Sequence, residues 1–316
     1  MTRHKPKIIV IVGPTAVGKS AIAVDIARLV GGEVISADSR QVYRGLNIGT
    51  GKITRREMRG IPHHGIDIAA PRTVGTAQQF TAEMFRIRAR ETIADISARG
   101  NVPIICGGTG FYIDALVDGI SFPDVPPNLA LRKKLSPKNA QQLYALLQKK
   151  DPRRAAAIDR HNPRRLIRAL EIATALGTVP RTRKHAIYDP LFIGLTVSGD
   201  ILRKKINTRL RARLAHGMIA EARRLHAAGL SYRKMEMLGL EYRWLARFLQ
   251  GKISRAEMVR ELEYAIWQYA KRQINWFHRN NRIRWFPPTL QTITKKINFD
   301  QWRRLLHKPG RRSASQ

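Results

Sequence analysis

The sequence predicts an α/β protein: a mainly parallel sheet with a helical insertion and a basic, helical C-terminal part. Three observations carry that expectation. β-branched apolar runs recur at Ile8–Val12, Glu33–Ala37, Val102–Cys106, Leu191–Val197 and Ile283–Phe286. Helical spacing fills most of the intervals, as in Ala77–Ala98, and strands separated by helices need crossovers, which favour parallel pairing. The rhythm breaks once, from Phe122 to Pro190, where Pro123, Pro126 and Pro127 open a stretch with helix-like segments (Asn139–Lys150, Pro163–Leu176) and no convincing strand. The expected division is therefore residues 1–121 as the first part of the core, 122–190 as a helical insertion, and 191–307 as the rest of the core with basic helices. The polar end, residues 308–316, is expected to be disordered.

The first strand runs into Gly13-Pro14-Thr15-Ala16-Val17-Gly18-Lys19-Ser20, and this opens a helix-spaced segment from Ala21 to Ala27. Strand, glycine loop and helix in that order are the context of a phosphate-binding P-loop, so the core is expected to be P-loop NTPase-like. The glycines let backbone N–H groups close around phosphate oxygens, and the helix N-terminus adds partial positive charge. Lys19 is expected to reach terminal phosphate oxygens, and the Ser20 hydroxyl to bind Mg2+.

The second run ends in Ser36-Ala37-Asp38-Ser39-Arg40-Gln41-Val42-Tyr43. A carboxylate at the C-terminal edge of an open α/β sheet lies where such sheets bind ligands. By itself Asp38 fits a Mg2+ ligand, a catalytic base or a helix cap. His63-His64 suggests a metal pair, but neighbouring side chains on extended backbone point apart and no acidic partner has ligand spacing, so a structural role is expected. Val102–Cys106 leads into Gly107-Gly108-Thr109-Gly110, a second glycine turn for the same sheet edge, which puts the Thr109 hydroxyl within reach of a phosphate or a base.

Charge sets the partner class. Lys and Arg number 58 against 23 Asp and Glu, a net +35. Residues 1–120 carry net +6, residues 121–200 net +9, and residues 201–316 net +20. A kinase of small molecules needs no such field, whereas a polyanion such as RNA does. The single cysteine, Cys106, excludes a disulfide framework and a cysteine-built zinc site. No apolar run reaches membrane-spanning length and the start lacks a signal-peptide core, so a cytoplasmic location away from membranes is expected.

The stretches GPTAVGKS, SADSRQVY, GLNIGTGK, IPHHGIDI and ICGGTGFY, in that order and spacing, resemble the tRNA dimethylallyltransferase (tRNA isopentenyltransferase) family. The similarity continues through His161–Glu171, Ile206–Leu210 and Gln268–Phe277, covering about residues 7 to 286. The chain departs from the family pattern at Arg40, Gly51-Lys52-Ile53, Gly65, Arg211, Leu238–Tyr242 and Ile266-Trp267. None of these positions lies in the P-loop, or at Asp38 or Thr109.

The resemblance implies transfer of a dimethylallyl group from dimethylallyl diphosphate to N6 of the adenine next to the anticodon, position 37 of tRNA. It implies that Asp38 is the general base, that Thr109 positions the base or the diphosphate, and that Arg209 adds a cation to the diphosphate. It further implies that Asp38, Ser39, Arg40, Gln41 and Thr109 meet the flipped nucleotide, and that Arg132 and Arg164-Arg165-Leu166-Ile167-Arg168 contact the anticodon stem-loop. A monomer is the expected state. Taken without the resemblance, the arginines of residues 164–168 read as a solvated helix face, and Trp276 and Phe277 as core. The other activities that a P-loop allows are a small-molecule kinase, a prenyltransferase acting on free adenine nucleotides, and an RNA-binding ATPase. Against the kinase, the strand Val102–Cys106 ends in glycine where a Walker B strand ends in aspartate.

Overall fold

The computed structural model describes residues 5–76, 78–181 and 184–300; the expected disordered tail, 308–316, lies outside them. The described residues fall into two compact units. One draws on Met1–Val74, Phe80–Gly119 and Ala186–Gln316, the other on Gly75–Gln79 and Ile120–His185.

In the first unit, six strands form an all-parallel sheet: β1 (Lys7–Val12), β2 (Gly32–Ser36), β3 (His63–His64), β4 (Val102–Cys106), β5 (Asp189–Leu195) and β6 (Arg284–Phe286), in the order β3-β2-β4-β1-β5-β6. The central strand β1 is Ile and Val from Ile8 to Val12 and wholly buried, the pattern expected of a parallel strand covered on both faces. The helices of this unit are α1 (Lys19–Val30), α2 (Arg55–Met58), α3 (Ala82–Ala98) and α4 (Gly110–Val117).

The second unit holds α5 (Leu129–Leu135), α6 (Ala140–Lys150), α7 (Pro152–Ala156) and α8 (Pro163–Leu176). The chain then returns to the first unit with α9 (Gly199–Ala215), α10 (Met218–Ala227), α11 (Tyr232–Leu238), α12 (Leu240–Leu249), α13 (Arg255–Phe277) and α14 (Leu290–Thr294).

Two expectations change. The helix read from Ala77 begins at Ala82, because the Thr81 hydroxyl accepts the Met84 N–H at 3.2 Å and caps it. The edge strand β3 was not legible. Its two histidines pair with Val34 and Ile35, and His64 Nε2 meets the Glu33 carboxylate at 2.7 Å. Glu33 also accepts from Arg99 and Asn101, and these bonds hold its carboxyl down at about 2 against the cost of burial.

The second unit has its own core of Leu143, Leu147, Leu166, Ala169, Leu170 and Ala173. Beside it lies a buried carboxylate, Glu171. It accepts from the Asn128 N–H at 2.9 Å, from Arg132 Nε and Nη2 at 2.7 and 2.8 Å, and from Arg168 Nη1 at 3.3 Å. The hydrogen bonds from Arg132, and the other charged and backbone donors, hold Glu171 ionised below its ordinary range although burial opposes it.

Candidate active site

β1 and β4 end side by side, with Ile11 opposite Cys106, and each passes directly into a glycine turn. After β1, Gly13 has φ +145°, and a Cβ there would fall 2.6 Å from the Leu195 carbonyl oxygen. Only glycine lets the chain leave the strand in this way. Pro14 and Val17 are buried beneath the loop, whereas Thr15, Ala16, Gly18, Lys19 and Ser20 line a cavity of about 290 Å³. Lys19 folds back so that Nζ donates to the Pro14 carbonyl at 2.7 Å.

Asp38 follows β2 and lines the same cavity with Gln41. Its Oδ1 accepts the N–H groups of Arg40 at 2.8 Å and Gln41 at 3.3 Å. No helix starts after Asp38, so it is not a helix cap: its side chain closes a turn. One oxygen is tied to the turn, and Oδ2 has no hydrogen-bond partner among the described residues. Ser39 and Arg40 continue the turn without lining the cavity. Thr109 also lies behind its wall: its hydroxyl oxygen accepts the Ser39 N–H at 3.0 Å, and its own N–H donates to the Ala37 carbonyl at 3.1 Å. It also bonds Tyr269, which does line the cavity, and whose phenol is pushed up by burial and then by the negative charge of Asp38.

Arg209 enters the cavity from α9, one of its guanidinium nitrogens donating to the Gly51 carbonyl at 3.1 Å. Burial pushes the Lys19 ammonium down to about 8; the neighbouring Arg209 charge adds to this, while the Asp38 carboxylate opposes it. Burial and then Arg213 push Arg209 down to about 10, still charged at neutral pH. Cations held in a desolvated cleft favour an incoming anion. Cys106, pushed up to about 11 by burial, stays a neutral thiol at the floor.

Three supporting groups escaped the sequence reading. Gln273 on α13 accepts the Thr15 N–H at 2.8 Å and donates to the Gly108 carbonyl at 2.8 Å, joining the two glycine turns. Glu221 on α10, itself buried, accepts the N–H groups of Asn47, Ile48 and Gly49 at 3.0, 2.7 and 2.9 Å, and the Tyr242 hydroxyl at 2.7 Å. Arg213, one turn beyond Arg209, bonds Gly49 and Glu241. Each contact spans a long sequence separation, and no local spacing marks it.

The residues expected at RNA separate into distinct roles within the second unit. Arg164 and Arg165 are exposed at the start of α8. Arg168 donates to the Val125 carbonyl at 2.8 Å and, with Arg132, neutralises Glu171. Leu166 is fully buried and packs the core of this unit, and the half-buried Ile167 packs against the same core. In the first unit Phe277 is buried, while Trp276 is half-buried and donates from Nε1 to Asp114 at 2.9 Å. Among the described residues no cluster of three or more His, Cys, Asp or Glu side chains could hold a metal, and no helix is long and apolar enough to cross a membrane.

The chain is 39% identical over 296 residues to a tRNA dimethylallyltransferase of Thermomicrobium roseum, covering 92% of this chain and 88% of that one. It is 39% identical over 293 residues to one from Geobacillus thermodenitrificans, covering 90% and 91%. Among solved structures it is similar to the tRNA isopentenylpyrophosphate transferase of Staphylococcus epidermidis, with a TM-score of 0.68, 34% identity, and 95% and 100% coverage. It is also similar to a eukaryotic dimethylallyltransferase captured acting on tRNA, with a TM-score of 0.77, 25% identity, and 94% and 77% coverage. The profile of the IPP transferase family matches residues 41–280, and with the P-loop, the Asp38 turn and Arg209 meeting in one cleft, the chain belongs to that family.

Proposed function

We propose that the protein transfers the dimethylallyl group of dimethylallyl diphosphate to N6 of the adenine 3′-adjacent to the anticodon, position 37, in tRNA. One observation carries this reading: Lys19, Ser20 and Arg209 share a single cleft with Asp38. The bond from the allylic carbon to the diphosphate oxygen breaks as the bond from N6 to that carbon forms. Negative charge grows on the departing diphosphate, where Lys19, the loop N–H groups and Arg209 stabilise it. The exocyclic amine is a weak nucleophile because its lone pair is delocalised into the ring. Asp38 Oδ2 accepts the N6 proton as the bond forms, while Oδ1 stays held by the turn.

The site suits Mg2+ carried in on the substrate: the exposed Ser20 hydroxyl would hold the ion, and phosphate and water would supply the rest of its coordination. When bound there, the ion neutralises leaving-group charge. Adenine 37 reaches such a cleft only after leaving the stack of the anticodon loop. The turn Asp38–Gln41, with Thr109 behind Ser39, is the segment that meets it. The exposed Arg164 and Arg165 contact the anticodon stem-loop, and the protein works as a cytoplasmic monomer.

Labelled dimethylallyl diphosphate incubated with the protein and bulk tRNA tests the reading by transfer of label to RNA. Asp38→Ala should lower kcat by about two to four powers of ten with tRNA affinity unchanged. Mg2+-dependent ATP hydrolysis without label in the RNA would overturn the proposal.

A further inference from the structure

Two guanidiniums cross the backbone at one glycine. Arg209 and Arg213 stand one turn apart on the same side of α9. Arg209 Nη2 donates to the Gly51 carbonyl at 3.1 Å, and Arg213 Nη1 to the Gly49 carbonyl at 3.3 Å. Gly51 has φ +58°, and a Cβ there would fall 1.8 Å from Arg213 Nη2 and 2.3 Å from Arg209 Nη2. The space a side chain would fill holds the ends of both arginines.

Like charges packed this closely in a desolvated place repel. The opposing charge comes from Glu241, the second residue of α12. Its Oε1 accepts from Arg213 Nη1 at 3.1 Å, and both side chains are 12% exposed. Burial pushes Glu241 up, and Arg213, followed by Arg209, pulls it back. Asp38, Glu57 and Glu241 face Arg209 with negative charge, and Arg213 faces it with positive charge. Arg209 lines the cleft, whereas Arg213 and Glu241 do not. They touch the reaction only through Arg209 and the Gly49–Gly51 backbone.

We propose that Arg213 and Glu241 are positioning residues for Arg209: the ion pair clamps the Gly49–Gly51 segment from behind and holds the Arg209 guanidinium at the place where the diphosphate leaves. The inference rests on the diphosphate reading given above. A neutral residue at 241 leaves Arg213 buried without its counter-charge. Mutual repulsion then moves the two guanidiniums apart, and Arg209 loses its fixed place. Substrate still binds, through the P-loop, but the leaving group is stabilised less.

The test is a double-mutant cycle between Glu241→Gln and Arg209→Ala, read by prenyl transfer to tRNA. Glu241→Gln alone should lower kcat about tenfold and leave the KM for tRNA unchanged. In the Arg209→Ala background the same change should alter kcat less than twofold, because the group it positions is gone. Arg213→Lys, which keeps the charge but not the planar guanidinium whose Nη1 bonds both Gly49 and Glu241, should lose kcat in the same Arg209-dependent manner. A merely structural pair would multiply the losses in both backgrounds, and that result overturns the proposal, as does an unchanged kcat in Glu241→Gln. If Glu241→Gln lowers the melting temperature so far that kinetics fail, the Arg213→Lys cycle decides by the same criterion. Calorimetry with Mg2+ and inorganic diphosphate separates the two readings. A wild-type protein that binds no diphosphate sinks the substrate reading, whereas normal diphosphate binding with additive kcat losses sinks only the positioning role.

Discussion

Gln273 lies 258 residues beyond Thr15, yet its Oε1 accepts the Thr15 N–H at 2.8 Å. The same amide donates from Nε2 to the Gly108 carbonyl at 2.8 Å. The opening of the phosphate loop is therefore fixed by a helix from the C-terminal part of the chain. Gln273→Leu leaves a backbone donor and a backbone acceptor unpaired beside the site, at about 1–3 kcal/mol each. The KM for dimethylallyl diphosphate should rise about tenfold. Gln273→Glu keeps the acceptor for Thr15 but loses the donor to Gly108 and adds negative charge beside the phosphates. It should be the worse variant, and donor KM values for the two variants decide it; a milder effect from glutamate would show that charge at this position is not felt.

Lys19 and Arg209 line one cleft, and the charge on Arg209 already pulls the Lys19 ammonium down. Groups that serve one leaving group lose their effects together. Lys19→Ala and Arg209→Ala should each reduce kcat/KM for the donor by about two powers of ten. The double variant should lose clearly less than the product. Independent, multiplicative losses would place Arg209 outside the diphosphate site.

At the far end of β2, Glu33 ties His64, Arg99 and Asn101 together. Its folded-state carboxyl is held down at about 2, below the 4.5 of an ordinary glutamate. A depressed carboxyl contributes stability that is present above 4.5 and is lost as pH falls through about 2. Glu33→Gln should cost about 2 kcal/mol near neutral pH, the weight of hydrogen bonds to a charged group. It should also flatten the acid side of the stability curve. Chemical denaturation at stepped pH values checks both parts, and a variant whose stability still falls steeply between pH 4.5 and 2 would assign the acid loss to other carboxylates.

What the sequence made legible follows from locality. A strand, a glycine loop and a helix are contiguous, so the P-loop and the Asp38 turn could be read directly, as could four of the six strands nearly to the residue. β3 could not: two residues long, it owes its pairing to Val34 and Ile35 and not to any periodicity of its own. The supports of the site were hidden for the same reason. Glu221 reaches back to Asn47, and Gln273 to Thr15, and only the folded chain brings them together. Burial was the other blind spot. The run Arg164 to Arg168 reads as one basic segment, yet on a helix it divides into exposed Arg164 and Arg165, buried Leu166, and Arg168 turned inward to Glu171.

That division sets the final expectation. Arg132 and Arg168 neutralise a wholly buried carboxylate. Replacing Arg132, whose own side chain is 42% exposed, with Ala leaves Glu171 to Arg168 and the Asn128 N–H, a loss of about 1.5–3 kcal/mol for hydrogen bonds to a charged group. Its first effect should be thermal instability, and any loss of RNA binding should follow the loss of folded protein. Arg164 and Arg165 carry no such duty: Arg165 lies only at the limit of a pair with Asp159, at 3.9 Å, and both side chains are exposed. Reversing both to Glu should leave the melting temperature and the KM for dimethylallyl diphosphate nearly unchanged while weakening tRNA binding tenfold or more. If these cations meet phosphates, the plot of log affinity against log salt should also become shallower by about two counterions, since each neutralised phosphate contributes a slope of about 0.7 to 0.9. Titration of a fluorescent anticodon stem-loop at several salt concentrations measures both quantities. Weaker binding with an unchanged slope would mean that the two arginines act on the fold of the second unit and not on the RNA backbone.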